Sequence, residues 1–142
     1  MMLDDWRIYA LASAFFAGLT ALAAKVGVAG IPSNTATLIR AIIIVGFLSI
    51  LVFVRREWVD PFSLNRMNLL FLLLSGLATG LSWLFYFRAL QLGPASMVVS
   101  VDRLSFLFAI FLSVLFLGER LSPLHWVGVA LMCAGALIIV LK

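Results

Sequence analysis

Five long apolar segments occupy most of this 142-residue chain and limit the folds open to it. They run over about residues 8–29, 35–54, 67–90, 95–117 and 123–141. A helix of about 20 apolar residues spans the hydrocarbon core of a bilayer. Hydrophobic residues make up 65% of the chain and charged residues 11%, which is too much apolar surface for a small soluble domain to hide. The sequence therefore predicts an all-α integral membrane protein, a single domain over residues 1–142 forming a bundle of about five transmembrane helices.

Several classes of function lack their sequence signatures in this chain. It has no GxxxxGK[ST] phosphate loop, HExxH or paired-cysteine motif, so we expect neither ATP hydrolysis, nor a metal site, nor a cofactor. The single cysteine, Cys133, lies in an apolar run and has no partner for an intrachain disulfide. No nucleophile–base pair can be argued around the single histidine, His125, so we do not expect an enzyme. The net charge of +4 comes from scattered Lys and Arg, which argues against a nucleic-acid surface.

Tryptophan and basic residues predict how the chain crosses the membrane. Trp6, Trp58 and Trp126 fall on the side that holds the amino terminus, where tryptophan favours the headgroup region. The segment ends on that side also carry five arginines, whereas the opposite side has Lys142 as its plainly exposed charge. The positive-inside rule then places the amino terminus in the cytoplasm, with the chain in the inner (plasma) membrane of the cell. Four further cations lie in the opposite-side halves of their segments, and counting them gives five against five, which leaves insertion in both orientations open.

Charged and aromatic side chains lie inside four of the segments at a similar depth. Most of them fall roughly 6–12 Å from the membrane face opposite the amino terminus, at 1.5 Å per helical residue. The set is Lys25, Arg40, Trp83, Tyr86, Asp102 and Arg103. Charges within a bilayer are costly and usually face a bundle interior or a cavity. This layer therefore predicts a site for substrate binding or ion coupling.

Most members of the layer also have a structural interpretation. Lys25, like Arg88 near the end of the third segment, could extend its charge to the membrane interface. Arg40 could form a structural ion pair with Asp102, the single acid deep in the bundle. The two aromatic residues, three positions apart in the third segment, could pack between helices rather than against a ligand. The sequence leaves these alternatives open.

Small residues mark two helix faces suited to close approach. Gly76 and Gly80 form a GxxxG in the third segment. Gly128 and Gly135 are seven positions apart, on one face of the fifth segment. Both pairs predict contacts between helices, either within the chain or in a dimer.

Two stretches of the sequence carry a family resemblance. The run SWLFYFRALQLGPAS over residues 82–96 resembles the core of an EamA-type domain of the drug/metabolite transporter superfamily. The run LFLGERLS over residues 115–122, followed by WVG over residues 126–128, resembles the second hallmark of that domain. The resemblance covers nearly the whole chain. It implies an EamA-like half-transporter unit, because larger members consist of two such five-helix units fused in inverted orientation around a central site.

The resemblance also bears on assembly and coupling. One five-helix unit encloses little volume, so a pathway needs either a second copy, which could be antiparallel, or a paralogous half-transporter. The face of Gly128 and Gly135 is similar to the dimerisation face of small multidrug-resistance pumps. Those pumps use a membrane-embedded glutamate in their first helix, and this chain has no acid there, which argues against proton-coupled export of drug cations. By the resemblance, Glu119 lies at the junction of the fourth and fifth helices, where it would stabilise the amino end of the fifth.

The sequence thus favours a secondary transporter, surrounded by membrane lipid, that carries a small polar or anionic metabolite as a homodimer. Three or four cations against one acid in the layer favour a substrate with a carboxylate or phosphate. Arg40 and Arg103 would contact the anion, Asp102 would serve gating or coupling, and Trp83 and Tyr86 would form aromatic walls. The alternative is a non-transporting membrane subunit, or one half of a heterodimeric transporter.

Overall fold

The computed structural model describes residues 5–141, apart from the side chain of Phe62, so the charge predicted at Lys142 lies outside the described residues. The described chain forms six α-helices and one 3-10 turn, Pro61–Ser63. The helices are α1 (Trp6–Gly27), α2 (Ser33–Arg55), α3 (Arg66–Leu92), α4 (Ala95–Asp102), α5 (Ser105–Leu117) and α6 (Pro123–Val140). Together they provide five stretches long and apolar enough to cross a membrane, with α4 and α5 forming one of them. The predicted all-α membrane fold class is confirmed.

Backbone turns that suit the local sequence end several of these helices. Gly30 has a φ of +77° in the connection after α1, and Pro32 directly precedes α2. Gly118 ends α5 with a φ of +67°, a left-handed conformation that glycine adopts without the steric penalty of a Cβ atom. Glycine and proline at these positions therefore account for the short connections between spans.

The fourth span differs from the single helix that the sequence predicts over residues 95–117. Two residues, Arg103 and Leu104, separate α4 from α5. The Leu104 N–H donates to the Val101 carbonyl at 2.9 Å, and the Phe106 N–H donates to the Arg103 carbonyl at 3.2 Å. Both bonds reach back three residues instead of four, so the backbone tightens locally and the α-helix is interrupted.

The chain divides into two compact units, one of residues 22–92 and the other formed by residues 5–21 and 93–141. In the first unit, α2 packs along α3. In the second unit, α4 contacts α6.

The best-packed part of the residue 22–92 unit lies where α1 ends, α2 begins and α3 ends. Its buried residues are Ala24, Val28, Ala36, Thr37, Phe87 and Leu90. Leu90 is 0% exposed and Val28 is 2% exposed. Ala24 and Ala36 have small side chains, which allow helix ends to approach closely.

Most other long apolar side chains of the spans are uncovered by the chain itself. Phe53 on α2 is 83% exposed and Leu117 on α5 is 74% exposed. Water is a poor environment for so many apolar side chains, and a lipid bilayer or another membrane helix is a good one. The packing is therefore that of a membrane-embedded chain.

Candidate functional site

Arg40 is held inside α2 by two aromatic rings of α3. It is the eighth residue of α2, roughly 10 Å along the helix from its first residue. Its guanidinium carbon lies 4.6 Å from the centroid of the Trp83 ring and 5.4 Å from the centroid of the Phe87 ring. Both distances are within the range of a cation–π interaction. The sequence places these rings together because residues four apart on a helix lie on one face.

The residue 22–92 unit provides Arg40 with aromatic neighbours but with no carboxylate. Its acids, Glu57 and Asp60, lie in the connection after α2, and neither forms a salt bridge with Arg40. Tyr86 is close enough to Arg40 for an electrostatic interaction, and its ring packs edge-on against Phe87 at a centroid distance of 6.2 Å. A negative charge that neutralises Arg40 therefore has to come from outside this unit.

Lys25 takes part in a different arrangement, at the end of α3. It lies in the last turn of α1, and its Nζ donates a hydrogen bond of 2.5 Å to the Leu90 carbonyl. The last carbonyls of a helix have no amide partner within that helix and carry a partial negative charge. Lys25 thus caps α3, and its side chain is partly buried there.

Gln91 caps the end of α1 in return. Its Nε2 donates to the Val28 carbonyl at 3.2 Å and to the Ile31 carbonyl at 2.6 Å. Arg88 is exposed, and its Nη1 donates to the Gln91 Oε1 at 3.1 Å. The ends of α1 and α3 are therefore joined by reciprocal caps, and Arg88 orients the amide that makes one of them.

Asp102 and Arg103 lie in the other unit, where the fourth span is interrupted. Asp102 is the last residue of α4, Arg103 follows it, and both side chains are exposed. The interruption is a tightened turn within the span, because the N–H groups of Arg103, Leu104 and Phe106 still donate to backbone carbonyls there. The sequence-predicted charges therefore coincide with the irregular part of this span.

The structure brings together part of the predicted layer. Arg40 meets Trp83 and interacts with Tyr86, whereas Lys25 is engaged in the helix-end caps. The sequence reasoning missed Phe87, although its spacing of four from Trp83 was a usable signal.

The sequence reasoning also missed the caps made by Gln91. The sequence held no signal for them, because they depend on how α1 and α3 meet.

The glycines predicted for helix packing have no close neighbour within the chain. A Cβ atom built at Gly76, Gly80, Gly128 or Gly135 would have no described atom within 4 Å, apart from neighbouring residues and the local helix backbone. The described chain therefore leaves both glycine faces open, and their role in packing or dimerisation stays a prediction.

Comparison with known proteins connects this geometry to a family. The chain is 49% identical over 138 residues to a protein described as an uncharacterized transporter in the cobO 3' region of Sinorhizobium sp., covering 97% of this chain and 98% of the relative. A second relative, the uncharacterized transporter YwfM of Bacillus subtilis (strain 168), is 40% identical over 63 residues, which are 44% of this chain and 21% of that protein. No solved structure matches the chain. The EamA-like transporter family matches residues 6–141, and the chain is therefore an integral membrane transporter that belongs to this family.

Proposed function

We propose that the chain is a secondary transporter of a small polar or anionic metabolite. It works as a homodimer, with a substrate site between the helices and an existing gradient as its driving force. Arg40 and Arg103 contact the anionic group, Asp102 serves gating or coupling, and Trp83 and Tyr86 line the site.

The observation that carries the proposal is the environment of Arg40. A charged side chain at the centre of a membrane helix costs about 2.5–3.5 kcal/mol by insertion measurements, and less nearer the interface. Stacking on Trp83 and Phe87 offsets about 0.5–2 kcal/mol of this. The residue 22–92 unit has no acid at Arg40 to supply the remainder. An anionic substrate that binds there would gain from the low dielectric, in which a charge-assisted hydrogen bond is strengthened.

The aromatic rings around Arg40 also suit a binding role. The cation–π contacts with Trp83 and Phe87 support the charge of the guanidinium, whose fork of N–H donors matches a planar carboxylate or a phosphate. A structural arginine is usually held by its edge, through a carboxylate or backbone carbonyls. Support by aromatic rings, without a salt bridge in the residue 22–92 unit, therefore favours an arginine that exchanges its anionic partner during a transport cycle.

The interruption of the fourth span supports a role for Asp102 and Arg103. Discontinuous helices in transporters commonly form substrate and ion sites, and this interruption falls at a charged pair. A helix joint of this kind also gives a small hinge, at which α4 and α5 can change their relative angle. Coupling of substrate binding to a conformational change could use that hinge.

Three observations support the homodimer. Few residues of the membrane spans are buried within the described chain, so their apolar surfaces are available to a second copy. The face of Gly128 and Gly135 on α6 has space for a close-packed neighbour. This chain covers 98% of the length of the relative from Sinorhizobium sp., whereas the Bacillus subtilis relative is roughly twice as long as this chain.

A ligand screen by thermal unfolding tests the proposal. The purified protein in detergent is heated with a panel of carboxylates, phosphates, neutral metabolites and organic cations. A ligand at 100 times its dissociation constant stabilises the folded state by about 2.7 kcal/mol, which raises the unfolding midpoint measurably. We expect one class of anions to stabilise the wild type and not Arg40→Gln.

The matched control is Arg66→Gln, which removes an exposed arginine from the first position of α3. This variant should respond to the anions as the wild type does. If organic cations stabilise the protein and anions do not, or if Arg40→Gln keeps the full response, the proposed anion site is wrong. If no compound acts on any variant, the proposed polar or anionic substrate class is wrong.

A further inference from the structure

A groove of about 450 Å³ lies between the start of α2 and the second half of α3. One part of its lining is apolar, from Leu81, Leu84 and Phe85. The other part is polar, from Ser33, Asn34 and Arg88. The groove is separate from the contacts of Arg40, which does not line it.

The two parts of the groove lie at different depths in the membrane. Leu81, Leu84, Phe85 and Arg88 are spaced by three or four residues, so they share one face of α3. Arg88 lies four residues, or roughly 6 Å, from the end of α3, whereas Leu81 lies roughly 16 Å from it. The polar part is therefore at the level of the lipid headgroups and the apolar part is at the level of the acyl chains.

The polar part of the groove has a positive charge. Arg88 is exposed and uses one N–H on Gln91, which leaves other guanidinium donors for a ligand. A neighbouring depression of about 440 Å³ shares Arg88 and Gln91 with the groove, and Lys25 lines it as well. Neither the groove nor the depression has an acidic residue in its lining. A phosphate at this level would therefore meet attraction and no repulsion from the lining residues.

We propose that the groove binds one phospholipid molecule from the surrounding bilayer. Its phosphate is held by Arg88, with Ser33 and Asn34 as further polar neighbours at the start of α2. One acyl chain lies along Leu84 and Leu81. A soluble anion would fill the polar part alone, whereas a phospholipid matches the charge, the depth and the apolar floor together.

A lipid titration of purified protein tests this site. The probe is dioleoyl phosphatidylglycerol, added in detergent, and the readout is the rise in the unfolding midpoint relative to each variant without lipid. We expect Arg88→Gln to need about tenfold more lipid for the same rise, which corresponds to about 1.4 kcal/mol. Leu84→Trp, which fills the apolar floor and keeps every charge, should also weaken the response. Arg66→Gln, at the other end of α3, should respond as the wild type does.

Two further ligands separate a lipid from a free phosphate. Glycerol 3-phosphate carries the phosphate without acyl chains and should give no rise at concentrations where the lipid acts. Dioleoylglycerol carries the chains without the phosphate and should be equally inactive. The proposal is overturned if glycerol 3-phosphate acts like the lipid, if Arg88→Gln keeps the wild-type lipid response, or if the wild type shows no rise. It is also overturned if light scattering shows that Arg88→Gln changes the oligomer mass while the lipid response is unchanged, since the groove would then face a second copy.

Discussion

The reciprocal caps at the ends of α1 and α3 provide a sharp test of the packing, through Gln91. Its amide donates to the carbonyls of Val28 and Ile31, and its Oε1 accepts from Arg88. Gln91→Met preserves the length of the side chain and removes all three hydrogen bonds. The Val28 carbonyl, which belongs to a residue that is 2% exposed, then loses the hydrogen bond that Gln91 donates to it.

The expected loss follows from the number of hydrogen bonds. A typical intramolecular hydrogen bond contributes about 1 kcal/mol net, and those measured between membrane helices average about 0.6 kcal/mol. Three bonds therefore give a loss of about 2–3 kcal/mol in the free energy of unfolding. The assay is reversible unfolding in mixed micelles with increasing sodium dodecyl sulfate, followed by circular dichroism.

The matched control for this experiment is Asn68→Met, which removes an exposed amide from the first turns of the same helix. It should change the free energy of unfolding by no more than about 0.5 kcal/mol, as expected of a surface position. If Gln91→Met is no more destabilising than Asn68→Met, the caps do not hold α1 and α3 together and the reasoning fails.

Three further predictions concern stability and assembly. Leu90→Ala should lower the free energy of unfolding by about 2–5 kcal/mol in the same assay, because Leu90 is 0% exposed, whereas Leu92→Ala, at a position 73% exposed, should have little effect. Gly118→Ala should lower it by about 1–2 kcal/mol, because alanine is strained at a φ of +67°; an unchanged stability would contradict the left-handed end of α5. Gly128→Leu combined with Gly135→Leu should halve the particle mass measured by light scattering and keep the helical content, since the described chain has room for both side chains; a dimer that persists would exclude this face as the interface.

The membrane spans could be predicted because the lengths of the apolar segments and the breaks between them determine the spans. About 20 apolar residues in succession have no stable place in a small soluble domain, and glycine or proline separates several of the segments. The interruption at Arg103 and Leu104 could not be predicted in this way. Neither residue is a helix breaker, so the sequence reads as one helix through this position, and the break depends on the three-dimensional context.

For the candidate site, the sequence predicted the membrane depth of the side chains but not which residues they contact. Position along each segment correctly brought Arg40 and Trp83 to one level, where their side chains meet. The same argument grouped Lys25 with them, yet its Nζ reaches the Leu90 carbonyl because α1 ends beside the end of α3. Depth follows from counting residues, whereas the choice of partner follows from helix rotation and packing, which one sequence does not specify.

The contacts within residues 22–92 separate two kinds of membrane cation. Lys25 and Arg88 are tied to helix ends, either through a backbone carbonyl or through Gln91, and they stabilise how the helices meet. Arg40 is supported by the faces of aromatic rings and has no acid of its own unit beside it. The account therefore assigns recognition of the transported anion to Arg40, whereas the hydrogen bonds of Lys25 and Arg88 hold the helix ends together.

Transport by purified protein in liposomes tests this central claim most directly. The anion that gives the largest rise in the unfolding midpoint is radiolabelled, and its uptake is measured against an excess of unlabelled anion inside the liposomes. The account predicts exchange by the wild type and by Arg66→Gln, and a loss of at least about tenfold for Arg40→Gln, the factor that corresponds to about 1.4 kcal/mol of lost anion binding. Exchange by Arg40→Gln at the wild-type rate would contradict it.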